Sequence, residues 1–299
     1  MRPSPPRIEI VIPYYGDPGY LLAAVDSVRA QTCSQWTLLV VDDGYPDPTV
    51  RQALQDDPDP RIRYVRNERN LGVAGNFERC RQLASADVVT FLGSDDTLLP
   101  GYADRVLSDL EAFPGAAMVQ PGVEVVDESG LPVRPLADRV KRALSPSVRR
   151  PTELSGERLA VGLLHGDWLY WPALAFRTEH LKRFAFRADL QVGLDLAIVL
   201  DMIVAGESLV VDPAPVFRYR RHAHSASSRA IPGGSRFVED RRFFAQTAAA
   251  MQAHGWPRAS RAARWRATSR LHALSLVPAA LRAADTATLR DLVVHAVSP

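Results

Sequence analysis

The apolar run Val88-Val89-Thr90-Phe91-Leu92 breaks at Gly93-Ser94 and gives way at once to two acids, Asp95 and Asp96. Short continuous runs of β-branched and aromatic residues are strands covered on both faces, as in a parallel sheet. An earlier run obeys the same grammar: Trp36 to Val41 ends on Asp42-Asp43-Gly44. Open α/β sheets hold their ligands outside the carboxyl ends of the strands. A chain that twice places paired acids there is therefore constrained in both fold and use. Adjacent carboxylates repel each other and persist where water or a cation lies between them. Taken alone, Asp95-Asp96 is either a solvated turn or a site for a hard divalent cation that completes its shell with phosphate oxygens.

The surrounding pattern is an alternation of strands and helices. Ile8 to Ile12 is a strand stopped by Pro13, and Tyr14 to Asp17 is a turn. Leu21, Val25 and Val28 give one face of a helix over 20–31. With the strand at 36–41 this completes a βαβ unit of the expected size. A short helix over 49–55, a strand over 61–65 and a helix over 74–84 lead to the strand at Val88. Downstream come a helix over 101–113 and strands over 117–120 and 123–126. Residues 131–151 carry Pro132, Pro135, Pro146 and Pro151 among basic residues with little periodicity, which reads as a loosely attached excursion. A helix over 156–165, a strand over 173–176, a helix over 194–205 and strands over 208–211 and 215–219 follow. From Arg236 onward the pattern is helical, two or three helices in all. Such alternation argues a mostly parallel sheet flanked by helices.

Bulk properties exclude rather than identify. A formal net charge of +2 over 299 residues gives no electrostatic case for a nucleic-acid partner, although arginines crowd the C-terminal third. Cys33 and Cys80 form neither a metal spacing nor a disulfide framework, which suits a reducing cytoplasm. The first residues lack the apolar core of a signal peptide, and no run of about 18 apolar residues occurs. The expectation is a cytoplasmic protein with room for peripheral contact at the inner membrane face.

Several strings then coincide in order and spacing: Ile10 to Tyr15, Ser27 to Thr32, Leu39 to Gly44, Asn70 to Asn76, Gly93 to Pro100, Gly193 to Asp195, and Tyr219 to Ser227. Together they resemble the family 2 inverting glycosyltransferases of the GT-A fold, densely over residues 8–127, sparsely to 227 and not beyond. The resemblance implies a Rossmann-like α/β domain over 1–235, with a nucleotide-binding half at about 8–127 and an acceptor half at about 150–235. Residues 236–299 would be a C-terminal helical extension. It implies a UDP-, dTDP- or GDP-sugar donor, a Mn²⁺ or Mg²⁺ cofactor, and a saccharide, lipid-linked or small-molecule acceptor; a homodimer is compatible.

By that resemblance Asp43 receives the base, with Asp42 beside it and Pro13 and Tyr15 lining the pocket. Asn70 and Gly72 close over the nucleotide, and Asn76 and Arg79 add polar contacts from the following helix. Asp96 ligates the metal, Asp95 faces the ribose or sugar, and His222 matches a position that reaches metal or diphosphate in some members. Asp195 is the base that deprotonates the acceptor; family members often carry two acids where this chain has Leu194-Asp195. An N-cap would explain Asp195 as well. Trp168, Tyr170 and Trp171 are either a stacking surface for a sugar or ordinary core. Arg218, Arg220 and Arg221 include a candidate diphosphate contact, with His224 as an ordinary surface histidine. Two competitors stay open: a nucleotidyltransferase, which lacks its glycine-rich loop after Ile12, and a non-catalytic sugar- or nucleotide-binding protein on the same fold.

Overall fold

The computed structural model describes residues 7–187, 190, 193–222, 235–283 and 285–297. Strands β1 (Ile8–Tyr14), β2 (Trp36–Asp42), β3 (Ile62–Arg66) and β4 (Val88–Phe91) pair in parallel in the order β3-β2-β1-β4. The sheet continues through β8 (Ala175–Arg177), β6 (Met118–Val126), β9 (Leu209–Arg220) and the two-residue β5 (Thr97–Leu98), with β7 (Thr152–Leu154) also on β9. β8 is antiparallel to both neighbours, whereas β6 and β9 are parallel to each other. Six strands, β1–β4, β6 and β9, thus point one way. The expected mostly parallel α/β sheet is what forms.

Alternate residues of the central strands feed two separate cores. Ile10, Ile12, Leu38 and Val40 pack on one face, under α1 (Pro18–Arg29) and α4 (Tyr102–Ala112). Val11, Leu39, Val41 and Phe91 pack on the other, with Cys80 of α3 (Gly72–Leu83), Leu163 of α6 (Gly156–His165) and Val199 of α8 (Leu194–Val204). Burial on both faces is why these strands are apolar throughout rather than alternating. The short helices α2 (Thr49–Leu54) and α7 (Thr178–Leu181) complete this part.

Three local expectations change. β1 runs on through Pro13 because its pairing with β4 ends at Val11, so proline removes no ladder bond on that side. β6 and β9 are each one strand, not two: Pro121-Gly122 and Pro213 to Pro215 sit at a register shift between them, so the turn residues make a bulge. Residues 131–151 are not a loose excursion, since they contain α5 (Leu136–Leu144), anchored by the buried Asp138.

Among the described residues the C-terminal region supplies four helices rather than the two or three expected, α9 (Ser235–Ala253), α10 (Pro257–Trp265), α11 (Ala267–Arg282) and α12 (Thr286–Val297). Phe243 and Met251 of α9 and Ala259, Ala262 and Ala263 of α10 belong to the same core as β1 and β2. Phe237, Ala273, Ala280 and Leu292 form a smaller core of their own under α11 and α12. Among the described residues, no helix is long and apolar enough to cross a membrane.

Candidate active site

The carboxyl ends of β1, β2 and β4 lie side by side, and each delivers chemistry to one edge. At the end of β2 the two acids separate in role. The Asp42 carboxylate accepts from the Tyr64 hydroxyl, the Arg66 guanidinium and the Tyr45 N–H. Its Oδ2 accepts twice and its Oδ1 once, so Asp42 ties β3 and the turn after β2 together. Burial and this carboxylate together push the Tyr64 hydroxyl up to about 12.

Asp43, 2% exposed, faces the other way. Its Oδ1 accepts from Asn67 Nδ2 and from Leu71 N, both at 2.8 Å, and its Oδ2 accepts from Gly72 N at 2.9 Å. A carboxylate has about four acceptor positions, so Oδ2 keeps one for a further N–H. The loop expected to close over a nucleotide is therefore folded onto Asp43 itself. Gly72 has φ of 73°, in the left-handed region that glycine enters without strain, and this turns its N–H toward the carboxylate. Asn70 Oδ1 also accepts from Gly72 N at 2.9 Å. Asn76 is buried and braces the arrangement from behind: its Oδ1 accepts from Asn67 and its Nδ2 donates to the Val41 carbonyl. Asn76 thus orients Asn67, a residue to which no sequence motif points, rather than reaching out of the protein. Arg79 is exposed on α3.

Beside Asp43 stand three tyrosines. The half-exposed Tyr15 meets Tyr45 edge-on at 5.2 Å, and the buried Tyr14 meets the same ring at 5.4 Å. Pro13 lies in β1 opposite Val41. Tyr45 is a second residue that no pattern singles out.

Beyond β4, the turn 93–96 brings the two acids together. An added Cβ on Gly93 would stand 2.5 Å from Asp96 Oδ2 and 3.1 Å from Asp95 Oδ1, so only glycine leaves room for both carboxylates. Asp96 is buried; Oδ1 accepts from Arg220 N at 2.8 Å, and Oδ2 has no partner. Burial, and next the charge of Asp95, raise its pKa well above the usual carboxylate range. Arg220 fixes the loop further, donating from Nε to the Asp95 carbonyl and from Nη1 to the Glu128 carbonyl. β5 ties the same loop to β9 through Thr97 opposite Arg218 and Leu98 opposite Phe217. His222 Nε2 lies 2.8 Å from Asp95 Oδ2, and its ring packs on Tyr20 at 5.0 Å. His224 and the rest of that motif lie outside the described residues.

A divalent cation suits this donor set: Asp96 offers an unpartnered buried oxygen, Asp95 offers a second hard donor, and both are pressed against a residue without a side chain. Among the described residues, no three His, Cys, Asp or Glu side chains are grouped to hold a metal ion. Further ligands would come from a substrate.

Asp195 lies in the first turn of α8, after Gly193. α8 leads through a tight turn into β9, which runs with β1–β4, so the helix runs back across the sheet and its first turn stands at the carboxyl edge. Asp195 Oδ1 accepts from Leu196 N at 2.8 Å, which leaves Oδ2 without a hydrogen bond among the described residues. A second acid accompanies it. Burial pushes Asp167 up to about 6, Lys141 opposes the rise, and the charge of Asp195 adds to it. Asp167 Oδ1 accepts from Leu169 N at 3.1 Å, while Lys141 Nζ donates to the Leu169 carbonyl at 2.6 Å. Asp167 follows His165 and Gly166, and no sequence pattern points to it.

The aromatic stretch behaves mainly as core. Trp168 is 3% exposed within the main cluster and offers no face to a sugar. Trp171 stacks on Phe91 at 5.7 Å and 11°, and also contacts Phe77, Phe176 and Phe186. Arg221 lies over the Tyr219 ring and donates from Nε and Nη2 to Asp138. It locks α5 in place instead of pointing freely at a ligand. Arg218 pairs with Glu124.

Paired acids on the carboxyl edge of a helix-flanked, mostly parallel sheet, with a closed loop over one of them, mark an α/β protein of the GT-A type. The model of the family "Glycosyl transferase family 2" matches residues 9–154. MT1568, an uncharacterized Mycobacterium tuberculosis protein, is 31% identical over 248 residues, 81% of this chain and 75% of its own length. The chain belongs to glycosyl transferase family 2. The succinoglycan biosynthesis protein ExoO of Rhizobium meliloti is 25% identical over 224 residues, 74% of this chain and 63% of ExoO. The Escherichia coli enzyme WfgD, a UDP-Glc:α-D-GlcNAc-diphosphoundecaprenol β-1,3-glucosyltransferase, is 36% identical over 101 residues, 34% of this chain and 40% of WfgD. The chain thus spans less than two thirds of the length of either relative. S. aureus TarS 1-349, solved in complex with UDP-GlcNAc, has the same fold at a TM-score of 0.63 and 14% identity, covering 81% of this chain and 66% of that one.

Proposed function

We propose that the protein is an inverting glycosyltransferase that moves a sugar from a uridine diphosphate sugar to a hydroxyl of a lipid-linked or polymeric saccharide. The observation that carries this proposal is the convergence of Asp43, the Asp95–Asp96 pair and Asp195 on one sheet edge, each with an acceptor position left over. Uridine is favoured among the candidate bases by the UDP-GlcNAc bound to TarS and by the UDP-Glc donor in the name of WfgD. Within this scheme residues 8–127 bind the donor, 150–235 receive the acceptor, and 236–299 buttress the acceptor half.

The free position on Asp43 Oδ2 accepts the imide N–H of the base, while Tyr15 and Tyr45 flank its ring. Asp96, with Asp95 beside it, would hold a Mn²⁺ or Mg²⁺ ion, which when bound neutralises charge on the leaving diphosphate. Arg220 and His222 hold those two acids in place. Asp195 takes the proton of the acceptor hydroxyl as its oxygen attacks the anomeric carbon from the face opposite the diphosphate. The C–O bond to the diphosphate breaks as the new one forms, and a single displacement inverts the centre. One carboxylate within hydrogen-bond reach suffices for such a base.

A thermal-shift series with UDP, dTDP and GDP, each with and without Mn²⁺, tests the donor side, because a ligand of the native state raises its apparent stability. UDP should raise the melting temperature, more so with Mn²⁺, and Asp43→Ala should abolish the shift. No response to any nucleotide would overturn the proposal.

A further inference from the structure

The helix α5 is inside out. Two of its charged residues turn inward: Asp138 is buried and accepts from the Tyr170 hydroxyl at 2.9 Å and from Arg221, and Lys141 reaches the Leu169 carbonyl. Its apolar residues turn outward. Leu136, Val140 and Leu144, spaced i, i+4, i+8 and so on one face, are 72%, 42% and 37% exposed. Leu131 is 64% exposed just before the helix. An ordinary surface helix has the opposite orientation.

The charge around this stripe is mainly of one sign. Arg134, Arg139, Arg142, Arg149 and Arg150 are all exposed, and none forms an ion pair among the described residues. Asp138, the only acid between residues 131 and 151, is sequestered beneath the helix by Arg221. The outer surface therefore presents leucine and valine side chains flanked mainly by arginine, with acids only at its N-terminal end, where Asp127 accepts from Leu131 N and Glu128 is exposed. At its C-terminal end the stripe continues: Leu144 and Thr268 both press on Gly166, and Leu271, 65% exposed, lies one turn further along α11.

We propose that α5 is a membrane-docking surface whose partner is an anionic lipid bilayer. An apolar face inserts shallowly at the level of the headgroups, and flanking arginines meet lipid phosphate. A rim with five exposed arginines against two acids at one end favours this partner over a second copy of the same face, because two such net-basic rims would repel. The helix is tied to the active site at two points one turn apart: Asp138 binds Arg221, which adjoins the His222 that holds Asp95, and Lys141 shares Leu169 with Asp167. Docking α5 would hold the acceptor side against the bilayer, where a lipid-linked saccharide presents its hydroxyl. That last consequence rests on the transferase proposal; bilayer binding does not.

Co-sedimentation of the full chain with phosphatidylcholine vesicles, with and without 30% phosphatidylglycerol (a proportion on the order of natural anionic content), tests it. Binding is expected to the anionic vesicles alone and to weaken in high salt. The double substitutions Leu136→Asp with Val140→Asp, and Arg139→Glu with Arg142→Glu, should each weaken it at least about tenfold, since two surface arginines alone contribute this much. Unchanged circular dichroism and an unchanged UDP thermal shift would show that the variants are folded. Absence of binding to anionic vesicles, or equal binding by the variants, overturns the proposal. So does a wild-type dimer in light scattering that the apolar variant converts to monomer without any vesicle binding, which would give the face to a second copy. A nucleotide response without vesicle binding would refute docking alone, and the reverse would refute the donor assignment alone.

Discussion

Asp167→Asn removes one titration from the acceptor side while keeping the oxygen that accepts from Leu169 N–H. Burial moves this carboxyl from the ordinary 3.8 to about 6, with Lys141 pulling it down and Asp195 pushing it up. A group whose pKa is raised on folding binds its proton more tightly in the folded chain. Its contribution to stability is whole below 3.8 and is lost as pH rises through about 6. A rise of about two pH units, at about 1.36 kcal/mol each, puts that loss near 3 kcal/mol. Asparagine has nothing to lose, and titrating groups other than the neighbouring Asp195 and Lys141 cancel between the two proteins. Urea denaturation at pH 4 and pH 8 should therefore show similar stabilities in acid. At pH 8 the variant should be more stable by up to about 3 kcal/mol, the gap opening between pH 4 and 7. A gap independent of pH would refute the assignment of the burial cost to Asp167. A wild-type advantage that grows with pH would show that Lys141 outweighs burial and that the carboxylate is held ionised.

Asp195→Asn should lower turnover by about 10²- to 10⁴-fold, the usual worth of a positioned base, and leave the UDP thermal shift unchanged; steady-state transfer assays check both. Gly93→Ala forces a Cβ to within 2.5 Å of Asp96 Oδ2. The fold should survive, at a cost of about 1–3 kcal/mol, while the Mn²⁺-dependent part of the thermal shift is lost. Asp138→Ala strips Arg221 and Tyr170 of their shared partner. A loss of about 3 kcal/mol is expected for a broken buried pair, seen as proteolysis at Arg139 and Arg142 before global unfolding.

What the sequence discloses follows a physical division. The apolar runs ending at Asp42 and at Gly93 are legible because a strand buried on both faces has no polar alternation to obscure it, and an acid after such a run stands out. The helices over 156–165 and 194–205 are legible for the matching reason, a long periodic pattern. Pro121-Gly122 misleads, because a bulge and a turn use the same residues and only the partner strand, here β9, tells them apart. α5 escapes a sequence reading because helix recognition assumes that the apolar stripe faces inward. Here Asp138 faces inward, held by a partner 83 residues away. The same distance rule explains the site: Asp43 and Asp96 announce themselves locally, but Asn67, Arg220 and Asp167 matter through what the fold brings beside them. Arg220 sits 124 residues from the carboxylate it steadies, in a strand where any arginine looks like surface. The pattern therefore discloses the strand-end acids on which the proposed mechanism rests. The groups that hold them still are disclosed only by the topology, and in this chain that supporting set runs without a gap from Asp95 through His222 and Arg221 to the outward-facing leucines of α5.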